Sequence, residues 1–235
     1  DDRRDRAHAY LTAAIREALT SAGIDGRVPD PERTSLLLGS SLAAQASAPV
    51  FWASFLEKGP RDADFSALRS YDAETRLASL CADLDVRGEA FLVSNACAAG
   101  GSALAAAADL IRLGRTDMAI VAGYDALDLH TFAGFGGIKA LTATHLKCFG
   151  PERDGMLLGD GFAVMILERA RSAKVAGRAP MGHLLGYGES SDAHHLTQPH
   201  PEGLGAALAM KRALRCAGLE PGEISTINAH STSTP

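Results

Sequence analysis

The stretch AFLVSNACAAGGSALAAAADLIRLG, residues 90–114, changes its pattern in the middle. AFLVSNA is a compact apolar run closed by small polar residues, the signature of a short strand covered on both faces. AAGGSALAAAADLIRLG reads as a helix that stops at Gly114, since glycine is favoured just past a helix end. This helix has almost no polar face and is expected to be buried all round. A strand that feeds straight into a buried helix is the building unit of a layered α/β protein.

The chain on either side extends that unit. AHAYLTAAIREALTSAG, residues 7–23, places Leu11, Ile15, Ala18 and Leu19 at helical spacing and ends on Gly23. After Pro29, Asp30 and Pro31 comes TSLLLGSSLA, read as a buried strand running into a loop. DMAIVAGYD, GFAVMILER and MGHLLGYGES read as further strands, near-continuous apolar runs expected to be covered on both faces. The opening order then recurs in GLGAALAMKRALRCAGLEPGEISTINAHSTST: a helix, an Ala-Gly end, an acidic turn, an apolar strand and a loop of small hydroxyl residues. The matching helix ends are Ala22-Gly23 and Ala217-Gly218. So distant a repeat suits two duplicated halves rather than a solenoid.

Composition narrows the function classes. With 235 residues, 46% of them hydrophobic and 22% charged, the chain can bury a sizeable core. A net charge of −5 without a long basic run argues against a nucleic-acid binder. The apolar runs are far shorter than the ~20 residues of a membrane crossing, and the start does not resemble a signal peptide, so the chain reads as cytoplasmic. Cys81, Cys97, Cys148 and Cys216 are widely spaced and read as reduced thiols. The chain opens on Asp1 and closes on Pro235, which reads as a segment of something longer.

Cys97 is the candidate for chemistry. It falls where the strand gives way to the alanine helix, a setting that favours a thiolate beside the helix N-terminus, and its alanine and glycine neighbours leave room above the sulfur. A second reading is open on local features alone: free cysteine often fills a core like a small apolar group. For Cys81, Cys148 and Cys216, which lack the strand-to-helix setting, the packing reading is preferred. His230 is the candidate partner, at the end of an apolar strand in a turn of small hydroxyl residues. His194, His195 and His200 share a loop without the spacing of a zinc site, and an exposed loop is the preferred reading.

Taken together, NACAAGG, ERDGMLLGDG, SSDAHHLTQP and NAHSTSTP resemble the elongating β-ketoacyl-acyl carrier protein synthases of dissociated fatty acid and polyketide synthesis. The resemblance implies a thiolase-like layered α/β fold of two duplicated halves, with mixed sheets and buried helices. It divides the chain into residues 1–170, an N-terminal half lacking its first strand, and 171–235, the start of a C-terminal half. It implies that Cys97 receives the acyl chain as a thioester, with its backbone N–H as one arm of an oxyanion hole. His230 would assist loss of CO2 from a malonyl group and stabilise the enolate, and Thr232 and Thr234 would hydrogen-bond the phosphopantetheine arm. Asp154, Gly155, Gly159 and Gly161 match a motif that shapes the structure behind the site. Arg3, Arg4 and Arg6 match basic residues that face the acidic carrier protein, although a solvated charge run explains them equally well.

The implied partners are an acyl carrier protein bearing acyl and malonyl groups, and a second synthase chain in a homodimer or heterodimer. Neither nucleic acid nor membrane is implied, and the enzyme needs no cofactor or metal of its own. The implied reaction is a decarboxylative Claisen condensation. The alternative is a silent homologue that pairs with an active synthase and influences chain length. Two local departures stand out: Ser231 replaces the usual glycine of the histidine turn, and Gly150 stands where an Asp is common, in a shortened connection. The family's opening strand would lie before Asp1, and its lysine, second histidine and gating loop beyond Pro235. The 235 residues alone are therefore not expected to complete the condensation.

Overall fold

A computed structural model describes residues 6–41, 48–66, 73–195 and 198–234. The Arg3 and Arg4 of the basic cluster lie outside them. The chain forms two compact units, Asp1–Arg178 together with Ser231–Pro235, and Ala179–His230.

In the first unit, helices α1 (Arg6–Ser21), α2 (Ala48–Lys58), α3 (Ala73–Leu84), α4 (Ala99–Arg112), α5 (Leu129–Gly137) and α6 (Ala170–Val175) accompany strands β1 (Thr34–Gly39), β2 (Ala90–Val93), β3 (Met118–Asp125) and β4 (Gly161–Glu168). The described strands make one mixed sheet in the order β2-β1-β3-β4. β2, β1 and β3 run parallel and β4 antiparallel. Strand alternation sorts the core into two layers. Leu36 and Leu38 of β1, with Met118, Ile120, Ala122 and Tyr124 of β3, face Leu11, Ile15 and Leu19 of α1 and Leu77, Leu80 and Leu84 of α3. Leu37, Ala119 and Val121 face the other way, onto Ala103, Ala107 and Leu110 of α4.

The expectation of an all-round buried α4 holds in part: Ala99, Ala103, Ala105, Ala107, Ala108 and Leu110 are buried, while Gly101 and Arg112 are exposed and the Asp109 side chain is half-exposed. Small side chains make the burial possible, because they let the helix axis approach the sheet closely. The closest approach is at Gly39, where an added Cβ would stand 2.5 Å from the Ala99 carbonyl oxygen and 2.7 Å from the Gly100 nitrogen. The register sets Gly39 opposite Val93 and Gly123, so β1 and β2 end side by side while β3 runs two residues further, to Asp125. At the opposite end, the Arg33 guanidinium donates to both carboxylate oxygens of Asp117, at 2.9 and 3.1 Å, and to the Gly114 and Arg115 carbonyls. That hydrogen bond holds the Asp117 carboxyl below the ordinary aspartate range.

Three sequence expectations need correction. β4 is not covered on both faces: Phe162, Val164 and Ile166 pack into the core, while Met165 on the opposite face is 59% exposed. MGHLLGYGES and the ISTIN run pair with no strand among the described residues. Both lie in the second unit, where helix α7 (Leu204–Ala217) supports the MGHLLGYGES segment. Gly186 and Gly188 lay the extended chain directly on that helix; a Cβ at Gly186 would come within 2.6 Å of the Ala217 nitrogen, and one at Gly188 would strike the Ala209 carbonyl. Cys148 and Cys216 are exposed rather than packed, whereas Cys81 lies against the core and burial pushes its thiol up.

The recurrence read in the sequence has a physical counterpart. α1 ends with Gly23 N–H on the Thr20 carbonyl and Ile24 N–H on that of Leu19. α7 ends with Gly218 N–H on the Arg215 carbonyl and Leu219 N–H on that of Leu214. Both glycines adopt a positive φ, +71° and +69°, as this double closure requires. Each end leads into a one-turn 3-10 helix that opens on proline, Pro31–Arg33 and Pro221–Glu223.

Gly39→Ala is expected to lower the unfolding free energy by about 3 kcal/mol in a denaturant titration, because backbone rather than a mobile side chain blocks the new methyl. An unchanged midpoint would show that α4 can move away from β1 without loss.

Candidate active site

The carboxyl ends of β1 and β3, the start of α4 and residues 159–163 at the head of β4 form an open cleft of about 430 Å³. Ser40, Cys97, Gly100, Asp125, Asp160 and Phe162 are among its lining residues. Carboxyl ends of parallel strands are where α/β proteins present functional groups, because the following loops and helix N-termini converge there.

Cys97 stands between Val93, where β2 ends, and Ala99, where α4 begins. It is exposed, so the packing reading of this cysteine is excluded by its position. The turn that presents it is tight. Ala96, immediately before it, adopts φ +57°, and the Ala99 N–H donates to the Ala96 carbonyl at 3.0 Å. A positive φ in a residue with a Cβ is strained, and the surrounding structure has to hold it. Asn95 contributes by donating to the Ser102 hydroxyl at 2.9 Å, which ties the turn to the first turn of α4. The N-cap of α4 is Ala98, which makes no side-chain capping bond, so the polar end of the helix opens beside Cys97. Such an end can stabilise negative charge that develops on a neighbouring atom during acyl transfer.

Sequence reasoning missed both carboxylates of the cleft. Asp125, at the end of β3, accepts from the Ser40 hydroxyl at 2.7 Å and from the Ser41 N–H at 3.1 Å. It thereby fixes the chain leaving β1, and Ser94 adds a bond from its hydroxyl to the Ser41 carbonyl at 3.2 Å. Asp160 accepts from Arg6 at 2.7 and 2.9 Å and from the Leu127 N–H at 2.5 Å. Arg6, the described member of the basic cluster, is thus engaged in holding α1 to the GDG loop.

The candidate threonines belong to the first unit and lie close together: the Thr232 and Thr234 hydroxyls are 2.9 Å apart. The 147–155 loop grips their backbone. Gly155 N–H donates to the Ser233 carbonyl at 3.0 Å, Arg153 Nε to the Thr234 carbonyl at 2.9 Å, and the Cys148 thiol to the Ser231 carbonyl at 3.0 Å. Gly155 itself has φ +150° and runs so close to Leu141 and Thr142 that a Cβ would stand 2.5 Å from their backbone atoms. Asp154 beside it is held below the ordinary carboxylate range by the Thr142 hydroxyl and then by Lys147, whose ammonium is 3.1 Å away. The ERDG motif thus does shape the structure behind the threonines. Ser231 adopts φ +55°, the region where glycine is at ease and a side chain costs ~1 kcal/mol or more.

His230 is the last residue of the second unit and is exposed. Cys97 and the two threonines belong to the first. In the histidine loop the rings of His194 and His200 lie 4.8 Å apart, and the Nδ1 atoms of His195 and His200 accept backbone N–H groups of Gln198 and Glu202. Among the described residues no group of three or more His, Cys, Asp or Glu side chains could hold a metal ion, and no helix is long and apolar enough to cross a membrane.

Comparison with known proteins places this geometry. Residues 1–173 match the model of the β-ketoacyl synthase N-terminal domain and residues 181–235 that of its C-terminal domain. The 3-oxoacyl-[acyl-carrier-protein] synthase 2 of Staphylococcus aureus is 32% identical over 99% of the chain and 59% of its own length. The ishigamide ketosynthase/chain length factor structure superposes with a TM-score of 0.89 at 33% identity, over the whole chain and 59% of its own. A type II PKS acyl-carrier protein in complex with its ketosynthase bound to the hexaketide gives a TM-score of 0.82 at 25% identity, covering 99% of the chain and 60% of its counterpart. The chain therefore spans somewhat under two thirds of the proteins it matches.

Removing the Asp125 carboxylate should loosen the floor of the cleft. Asp125→Ala is expected to cost about 2 to 3 kcal/mol, and a double-mutant cycle with Ser40→Ala to return a coupling above ~1 kcal/mol. Additive losses in the denaturation free energies would mean that the two groups do not act together.

Proposed function

The chain belongs to the β-ketoacyl synthase family, and on that premise we propose that the protein catalyses decarboxylative condensation of an acyl thioester with malonyl-acyl carrier protein, with Cys97 as the acyl acceptor. The observation that carries this reading is the exposed Cys97 sulfur at the polar end of α4, in an open cleft at the strand ends.

In the first half-reaction the Cys97 sulfur attacks the carbonyl of the acyl-carrier thioester, and the pantetheine thiol leaves with a proton. The backbone N–H of Cys97 supports the oxyanion of the tetrahedral intermediate. In the second, malonyl-carrier protein loses CO2, the resulting enolate attacks the Cys97 thioester, and 3-oxoacyl-carrier protein departs while the cysteine regains its proton. His230 assists decarboxylation and stabilises the enolate. Thr232 and Thr234 hydrogen-bond the pantetheine arm. Every atom and electron in this sequence comes from the two thioesters and one proton, so the chemistry calls for no metal or redox group.

The partners of this reading are an acyl carrier protein and a second synthase chain in a cytoplasmic dimer. Carrier-protein and chain-length-factor complexes among the structural relatives support both. A silent role in setting chain length would have no use for an exposed cysteine in an open cleft, which favours the enzyme over that alternative.

Intact-protein mass spectrometry of the protein at its full natural length, incubated with acyl-carrier protein, is expected to show one acyl adduct, absent in Cys97→Ala. Condensation should fall at least ~10³-fold in that variant. His230→Ala should keep the adduct yet release CO2 about 10²-fold more slowly. Adduct formation that survives Cys97→Ala would overturn the assignment.

A further inference from the structure

Ser231 and Ser233 both hold positive φ, +55° and +63°, in a turn where glycine would meet no steric penalty. At Ser233 the reason for a side chain is visible. The residue is 4% exposed, and its Oγ accepts the Lys147 N–H at 2.8 Å while its carbonyl accepts the Gly155 N–H at 3.0 Å. A glycine would hold the same backbone but leave the Lys147 N–H without this acceptor. Lys147 is anchored in turn by Asp154, and Arg153 takes the Thr234 carbonyl. The buried Ser233 therefore sits between two side chains whose hydroxyls point together, those of Thr232 and Thr234.

We propose that Ser233 is a positioning residue, whose hydroxyl latches the 231–234 turn to the 147–155 loop and so fixes the Thr232 and Thr234 hydroxyls as a pair that recognises the amide-bearing arm of the thioester substrate. This rests on the condensing function proposed above. The latch acts on recognition of the arm rather than on the sulfur chemistry, because it contacts neither Cys97 nor the acyl group. It also explains why the turn tolerates serine where its backbone geometry favours glycine.

The test compares two substrates on the protein at its full natural length: an acyl-pantetheine thioester and the same acyl group on ethanethiol, which has no amides. Ser233→Gly is expected to raise KM for acyl-pantetheine about tenfold with kcat within twofold, the size set by loss of one ordering hydrogen bond. Its kcat/KM for the ethanethiol ester should stay within twofold, and the Lys147 amide should exchange about tenfold faster with deuterium. Ser233→Ala, which keeps the side-chain carbon, serves as the second variant and should show the same substrate-dependent shift. An unchanged KM for acyl-pantetheine, or equal losses on both substrates, would overturn the latch. If wild type acylates Cys97 normally in that case, only the latch falls; if wild type forms no Cys97 adduct, the condensing function falls first and the latch with it.

Discussion

The arrangement depends on one close approach of backbone to backbone: Gly39 at the end of β1 against Ala99 and Gly100 at the start of α4. A helix that follows a strand usually packs at a distance set by its side chains. Here alanine and glycine on the helix, and glycine on the strand, remove that spacer. The N-terminus of α4 comes down to the level where the parallel strands end, and Cys97 is left at the mouth of the cleft instead of beneath it. The strained Ala96 and the Asn95 to Ser102 bond then define the turn itself.

A second constraint organises the threonine turn. It is gripped through three of its carbonyls and the Ser233 hydroxyl, by donors from a loop that is itself folded by the close packing of Gly155 and the Lys147 to Asp154 pair. Grips of this kind leave the side chains of Thr232 and Thr234 available for each other and for a ligand. Two of the glycine-requiring positions in the first unit thus serve different ends: Gly39 admits a helix, and Gly155 admits a loop.

Much of this was legible in the sequence because it rests on local patterns. The switch from a compact apolar run to an alanine helix located β2, Cys97 and α4, and the paired Ala-Gly ends anticipated two helix closures with the same hydrogen bonds. What escaped was non-local. Asp125 and Asp160 are ordinary acids in the chain and become cleft residues only when strand register and the Arg6 contact bring them there. Cys148 lacked a strand-to-helix setting, and its bond to Ser231 spans a separation that no short-range pattern reports. MGHLLGYGES has strand composition, but Gly186 and Gly188 spend it on lying flat against α7. Ser231 was recognised as the residue in a glycine's place; the need for Ser233 appeared only with its buried acceptor role.

The central claim is that the position of Cys97, rather than simple exposure, makes it the acyl acceptor, and three exposed cysteines allow that to be measured within one molecule. Pantetheine carrying a bromoacetyl group, added at substoichiometric amounts to the folded protein, should alkylate the Cys97 peptide ahead of those containing Cys148 and Cys216, as read by peptide mass spectrometry. Label distributed evenly over the three thiols, or concentrated on Cys148 or Cys216, would contradict the account.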